Sequence, residues 1–164
     1  MDEQTDPAKP AVPEVAESDK ISLDEQSKAR MLLWVQALES GEHEQGYGFL
    51  ETVSGLDGLV RRCCLGVLCR VAMADGLGLE LVQDQIIHPG GVEGGSQLAV
   101  KFNNHGTSAP LVVVDWLFNQ KVRYDGNGQT PWLNQNALIH FNDEEMRDFR
   151  YIAAYLRQLY RLDE

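Results

Sequence analysis

The stretch from Asn142 to Tyr160, "NDEEMRDFRYIAAYLRQLY", constrains the fold more than any other part of the chain. Met146, Phe149, Ile152, Ala153, Leu156 and Tyr160 recur at three- and four-residue spacing, the period of one face of an α-helix. Asn142 ahead of them is a good N-cap residue. Asp143, Glu144 and Glu145 fill the first turn, where the helix dipole favours negative charge. The expectation is a C-terminal helix capped by Asn142 that buries this stripe and leaves Arg147, Arg150, Arg157 and Arg161 in solvent. Such a stripe needs a partner layer.

A second helix supplies one. Ser22 and Glu25 have capping-box spacing, which places the N-cap at Ser22. Ala29, Met31, Leu32, Trp34, Val35 and Leu38 form its apolar face, and Gly41 stops it as the residue after the C-cap. A third helix is read from about Cys64 to Asp75, because Leu65, Leu68, Val71 and Ala72 keep helical spacing and Gly76 follows. Between these last two lies a glycine-rich loop with short extended pieces, residues 41–60. "QLAVKF" (97–102) and "ALIHF" (137–141) read as strands, "VRYDGNGQTPW" as a strand entering a glycine turn, and "HPGGVEGGS" as a loop. Residues 108–120, "SAPLVVVDWLFNQ", allow two readings. Three consecutive valines favour a strand, whereas Pro110 at N1 or N2 favours a helix start.

Residues 1–20 hold three of the six prolines and no aromatic residue. Six acids against two lysines give this segment −4 of the net −11. Such a segment buries too little surface to offset its ordering entropy and reads as a disordered acidic leader whose deletion leaves stability nearly unchanged. The remaining residues, 21–164, are enough for one core without disulfides or metals. The expected fold class is α+β: a single domain with three main helices packed on a small, mostly antiparallel sheet.

The block "RRCCLGVLCR" (61–70) carries all three cysteines and is the most conspicuous candidate for chemistry. Cys64 sits where a helix begins, and a helix N-terminus lowers a thiol's pKa. His140 on the expected strand could then act as its base, with His88 and His105 as loop alternatives and Asn142 as orienting group. That is the pattern of a cysteine hydrolase. The simpler reading is that small apolar cysteines pack a tight helix contact, helped by Gly66. A zinc site would need His43 or His88 to complete an unsuitable C-C-x4-C spacing. A disulfide across that spacing has poor geometry. No metal or cofactor is therefore expected. "GYG" at 46–48 and "PGGVEGG" at 89–95 could cradle a phosphate, but neither has a Walker arrangement or a lysine nearby. The acidic balance argues against nucleic-acid backbone binding, and no apolar run is long enough to span a membrane.

Four stretches occur in a recognisable order: "WVQALESGEHEQGYGFL", "RRCCLGVLCRVA", "APLVVVDWL" and "ALIHFNDEEMRDFRYIAAYL". Together they resemble a family of small accessory proteins of tailed bacteriophages and prophages, over residues 31–157, with the cysteine block as the most specific piece. Phe141 stands where the family has leucine. Pro110, Leu111, Val114, Trp116 and Leu117 keep the frame of a helical stretch, so the resemblance favours helix over 111–117. The resemblance implies expression in the cytoplasm of an infected bacterium and a role in host takeover or in countering defence. The function expected from it is a non-catalytic binding protein directed at a host factor. The alternatives are a protein that sequesters a signalling nucleotide and a cysteine hydrolase using Cys64 and His140.

Overall fold

The computed structural model describes residues 14–86, 97–119 and 133–164. The first long helix, α1 (Glu25–Glu39), is capped by Asp24, whose carboxylate accepts the Ser27 amide at 2.7 Å. The cap therefore lies two residues beyond the expected Ser22. The Ile21 amide is bonded to the Leu159 carbonyl, and Ile21 and Leu23 pack on the core, which keeps 21–23 out of the helix until Asp24. Gly41, at φ +76°, follows the C-cap Ser40 as expected.

The glycine-rich segment yields three short strands: β1 (Glu44–Gln45), β2 (Glu51–Ser54) and β3 (Val60–Arg62). They join β4 (Leu81–Ile86) and β5 (Gln97–Phe102) in a five-stranded sheet of order β1-β3-β2-β5-β4. Only the β1–β3 pair is parallel, so the sheet is mostly antiparallel, and "QLAVKF" is the strand expected. Glu51 stands opposite both Arg62 and Val100, which puts these three side chains on one face.

The cysteine helix, α2 (Cys64–Ala74), lies at the centre. Cys64 to Cys69 are all buried, and α1, α3 and α4 surround it. α3 (Leu111–Phe118) settles the ambiguous valine run as helix: Val113 and Val114 bury together with Leu117 and Phe118, four residues on. Core burial at helical spacing outweighs the strand propensity of valine here. Pro110 is the N-cap, not the first or second helical residue.

Two expectations near the C-terminus are corrected. "ALIHF" is not a strand. It runs through α4 (Gln135–Ile139), capped by Asn134, into a π-helical turn, His140–Glu144. Leu138 and Asn142 are both buried, but His140 between them, which a strand would set on the same face, is about half exposed, so burial here follows a helical period and not an alternating one. The last helix, α5 (Phe149–Leu159), begins later than expected: Asp148 caps it by accepting the Tyr151 amide at 2.9 Å. Phe149, Ile152, Ala153, Leu156 and Tyr160 form its buried side, but Met146 lies outside the helix and is 62% exposed.

The arginines off that stripe are paired more than the sequence implied. Arg157 holds Glu39 of α1 in a bidentate bond at 2.9 Å, and Arg161 reaches Glu17 at 2.6 Å. Leader residues 1–13 lie outside the described part. Residues 14–20 contain a 3-10 turn, Glu17–Asp19, strapped onto α5 by the Val15 amide bonding Gln158. This end of the leader is part of the fold, contrary to the expectation of disorder through residue 20. Among the described residues the result is one α+β domain with five helices and one mixed sheet.

Candidate functional site: the cysteine hub and the ridge above it

α2 starts without a side-chain cap of its own, because the N-cap residue Cys63 offers none. The missing acceptor comes from far along the chain. Asn142, fully buried, accepts the Cys64 amide on its Oδ1 at 3.3 Å. The same oxygen accepts Gln45 Nε2 at 2.9 Å, while Nδ2 donates to the Gly46 carbonyl at 2.9 Å and to Asp143 Oδ1 at 2.7 Å. Asn142 thus welds the α4 end, the strand segment at 45–46 and the first turn of α2. It is the cap of α2, not of the last helix. Trp34 adds α1 by donating from its indole to the Cys64 carbonyl at 2.9 Å.

The thiols belong to this packing. Burial pushes Cys63 up to about 11, and burial with the neighbouring Cys63 sulfur pushes Cys64 well above the ordinary thiol range. Cys69 is likewise raised by burial. Cys64 Sγ faces the Leu138 carbonyl at 3.9 Å. His140, the expected base, is half exposed and turns its ring nitrogens to Glu144 and Glu145, at 2.9 and 3.3 Å. A helix N-terminus activates a thiol only where the thiolate can be solvated or paired with a cation. Here desolvation prevails, and Asn142 is fully occupied with amides and carbonyls. The Cys64–His140 pair is therefore not arranged as a nucleophile and base.

The other sequence candidates resolve as follows. Among the described residues no group of three or more His, Cys, Asp or Glu is placed to hold a metal. His43 Nδ1 faces the Arg62 guanidinium at 3.1 Å, and desolvation with that positive charge lowers its pKa. His105 lies in the turn after β5 and bridges Phe102. "GYG" is a structural turn: Gly46 is wedged against Arg61, and Gly48 has φ +78°. His88, Trp132 and the stretches "PGGVEGG" and "VRYDGNGQTPW" lie outside the described residues.

One charged cluster escaped the sequence reading. Glu51, only 2% exposed, is held by Arg62 at 2.6 Å and by Arg70 at 2.6 and 2.8 Å. Burial alone raises its pKa, but the hydrogen bonds from Arg70 and Arg62 outweigh burial and leave the carboxyl below its ordinary value. Arg70 also lies over the Phe102 ring at 5.3 Å. Nothing local announces this trio, because it spans β2, β3 and α2.

Above the hub, two segments form a surface ridge. Gln45 Nε2 also bonds the Arg147 carbonyl at 2.8 Å, so residues 45–47 run beside residues 142–147. The ridge presents Tyr47, 44% exposed, and Met146 among the acids Glu44, Asp143, Glu144 and Glu145. Met146 sits at φ +50°, a conformation uncommon for a residue with a side chain. No family profile, curated protein or solved structure matches this chain.

Proposed function

We propose that this chain is a phage accessory protein acting in the cytoplasm of an infected bacterium as a non-catalytic binding protein, directed at a host factor or a component of host defence. The setting rests on the resemblance of its motifs to tailed-phage accessory proteins. The non-catalytic character rests on one observation: the residues of the cysteine block that could do chemistry are consumed in the core, with the Cys64 thiol buried and Asn142 saturated by hydrogen bonds. The binding surface is the ridge they organise. Its exposed Tyr47 and Met146 offer apolar contact, and its acids, on a chain of net −11, suit a partner with a basic face.

The test is a capture experiment from infected-cell lysate with three forms of the full chain: wild type, the pair Tyr47→Ser with Met146→Ser, and a control, Leu56→Ser, in the exposed β2–β3 turn. The expected result is a partner held by wild type and the control, released by raised salt and lost with the paired substitution. A partner held equally by all three forms overturns the ridge, and no partner overturns the reading. Rapid iodoacetamide modification of the native thiols at neutral pH overturns its non-catalytic character.

A further inference from the structure

The sheet ends on β4, which among the described residues pairs with β5 alone. The direction of its backbone groups follows from the register. The Asn103 amide donates to the Glu80 carbonyl at 2.8 Å, and Val82, Asp84 and Ile86 stand opposite Lys101, Ala99 and Gln97. Hydrogen-bonded and non-bonded pairs alternate along an antiparallel ladder. Val82, Asp84 and Ile86 therefore bond to β5, and Leu81, Gln83 and Gln85 turn their N–H and C=O outward. β5 agrees with this phase, since Phe102 exchanges its backbone bonds with His105 on the side away from β4.

Native edge strands are usually guarded by proline, lysine, a bulge or an inward charge. β4, "LVQDQI", has no proline or lysine and keeps a continuous register over Leu81–Ile86. Its one charge, Asp84, is neutralised by Lys101 at 2.5 Å. Leu81 and Val82 are exposed, one on each face.

We propose that β4 is a dimerisation edge, on which a second copy of this chain pairs its own β4 antiparallel about a two-fold axis at Gln83, joining two sheets into one. Among the registers that keep most of β4 paired, those with the axis at Val82, Gln83 or Asp84, charge selects one. In a two-fold antiparallel pair the facing residues lie on the same face of the sheet, so the axis must pass through a residue. An axis at Val82 sets Glu80 against the second copy's Asp84, and an axis at Asp84 sets Asp84 against itself. With the axis at Gln83, Asp84 faces Val82, Glu80 faces Ile86, and Gln83 faces Gln83. The outward groups of Leu81, Gln83 and Gln85 then all find partners. Each copy carries −11, so long-range repulsion opposes association and salt screens it.

Sedimentation of the full chain across a concentration series, at low and high salt, reads this directly. The expected mass rises from 18.3 kDa toward twice that value, at lower protein concentration when salt is raised. Gln83→Pro removes an outward donor that β5 does not use, a position where an edge strand tolerates proline, and is expected to hold the chain as a folded monomer. Gln83→Lys, which keeps the backbone donor and sets two like charges face to face, gives the same loss if the proline variant fails to fold. Gln83→Cys crosslinks to its own copy on mild oxidation, because facing Cα atoms about 5.5 Å apart suit a disulfide. Gln85→Cys does not, and the three native thiols are buried. A mass that stays monomeric at every salt, a dimer that survives Gln83→Pro and Gln83→Lys, or equal crosslinking at Gln83 and Gln85 overturns the proposal.

Discussion

Gly66→Ala tests the packing at the centre of the fold. Gly66 is in the first turns of α2, where alanine for glycine normally gains about 1 kcal/mol of helix propensity. Here a Cβ would stand 1.8 Å from the Leu50 carbonyl oxygen and 2.6 Å from its carbon, both backbone atoms. Reaching 3.4 Å, where ordinary contact begins, moves the helix and the chain at Leu50 apart by about 1.6 Å. That displacement stretches the Cys63 amide bond to the same Leu50 oxygen, now 3.2 Å, and opens the contacts of a helix whose residues from Cys64 to Cys69 are all buried. Overpacking of a tight core costs about 1–3 kcal/mol, and the strained backbone bond adds about 1 kcal/mol. After the propensity gain, the expected net loss is about 1–3 kcal/mol. For a domain of this size that is a fall in Tm of about 2–12 °C. The assay is thermal and urea unfolding beside Gly78→Ala, where a Cβ meets nothing within 4 Å. If Gly66→Ala is neutral or stabilising relative to wild type, the close approach of α2 to Leu50 is wrong.

Three further outcomes follow from the same contacts. Asn142→Ala leaves the Cys64 amide and the Gly46 carbonyl without their partner in a buried place and is expected to cost about 3–5 kcal/mol in urea unfolding, whereas a loss below about 1 kcal/mol contradicts the hub. Glu51→Gln is expected to cost about 2–3 kcal/mol at neutral pH, less than a fully buried pair because both arginines are partly exposed. Since the folded Glu51 pKa is lowered, its contribution is present above the unfolded value near 4.5 and disappears as pH falls through the folded value. The gap between wild type and variant therefore closes in acid, and a gap independent of pH refutes the assignment. Deleting residues 1–20 removes the Val15–Gln158 bond and the exposed Glu17–Arg161 pair and is expected to give only a small fall in Tm against the full chain, whereas a large fall shows that the segment packs more extensively than these contacts.

What the sequence carried well was local. The period of Leu65, Leu68 and Ala72 placed α2 within a residue of its bounds, and Gly41 and Gly76 mark helix ends at positive φ. Where it misled, a distant partner decided. Ser22 and Asp24 are both competent caps, and the choice between them was made by Ile21 bonding to Leu159 across the core. Asn142 in front of three acids has every local mark of a helix start. Its amide is worth more bridging Gly46 and Cys64, so the chain passes through a π-turn and begins α5 at Asp148 instead. That shift expels Met146 from the apolar stripe and creates the ridge. The Glu51 trio was illegible because its members come from three elements and share no spacing.

Residues from three of the motifs singled out in the sequence meet in one place. Trp34 bonds the Cys64 carbonyl, Asn142 takes the Cys64 amide, Gln45 and Gly46 bond Asn142, and Gly66 admits Leu50 to within contact of α2. Each residue type answers a geometric demand: an indole donor long enough to cross a helix interface, an amide able to accept and donate at once, a glycine with no Cβ to collide. A cysteine at position 64 answers the same kind of demand, being small and apolar enough for a fully enclosed helix start. These residues are accounted for by what they hold together in the fold. Residues free of those demands include Tyr47 and Met146 on the ridge, and Leu81, Gln83 and Gln85 on the edge of β4 that no other strand among the described residues pairs. Substitution of Tyr47 or Met146 is expected to leave the unfolding midpoint nearly in place, whereas substitution of Trp34, Gly66 or Asn142 is expected to lower it, as urea unfolding of the two sets side by side would read.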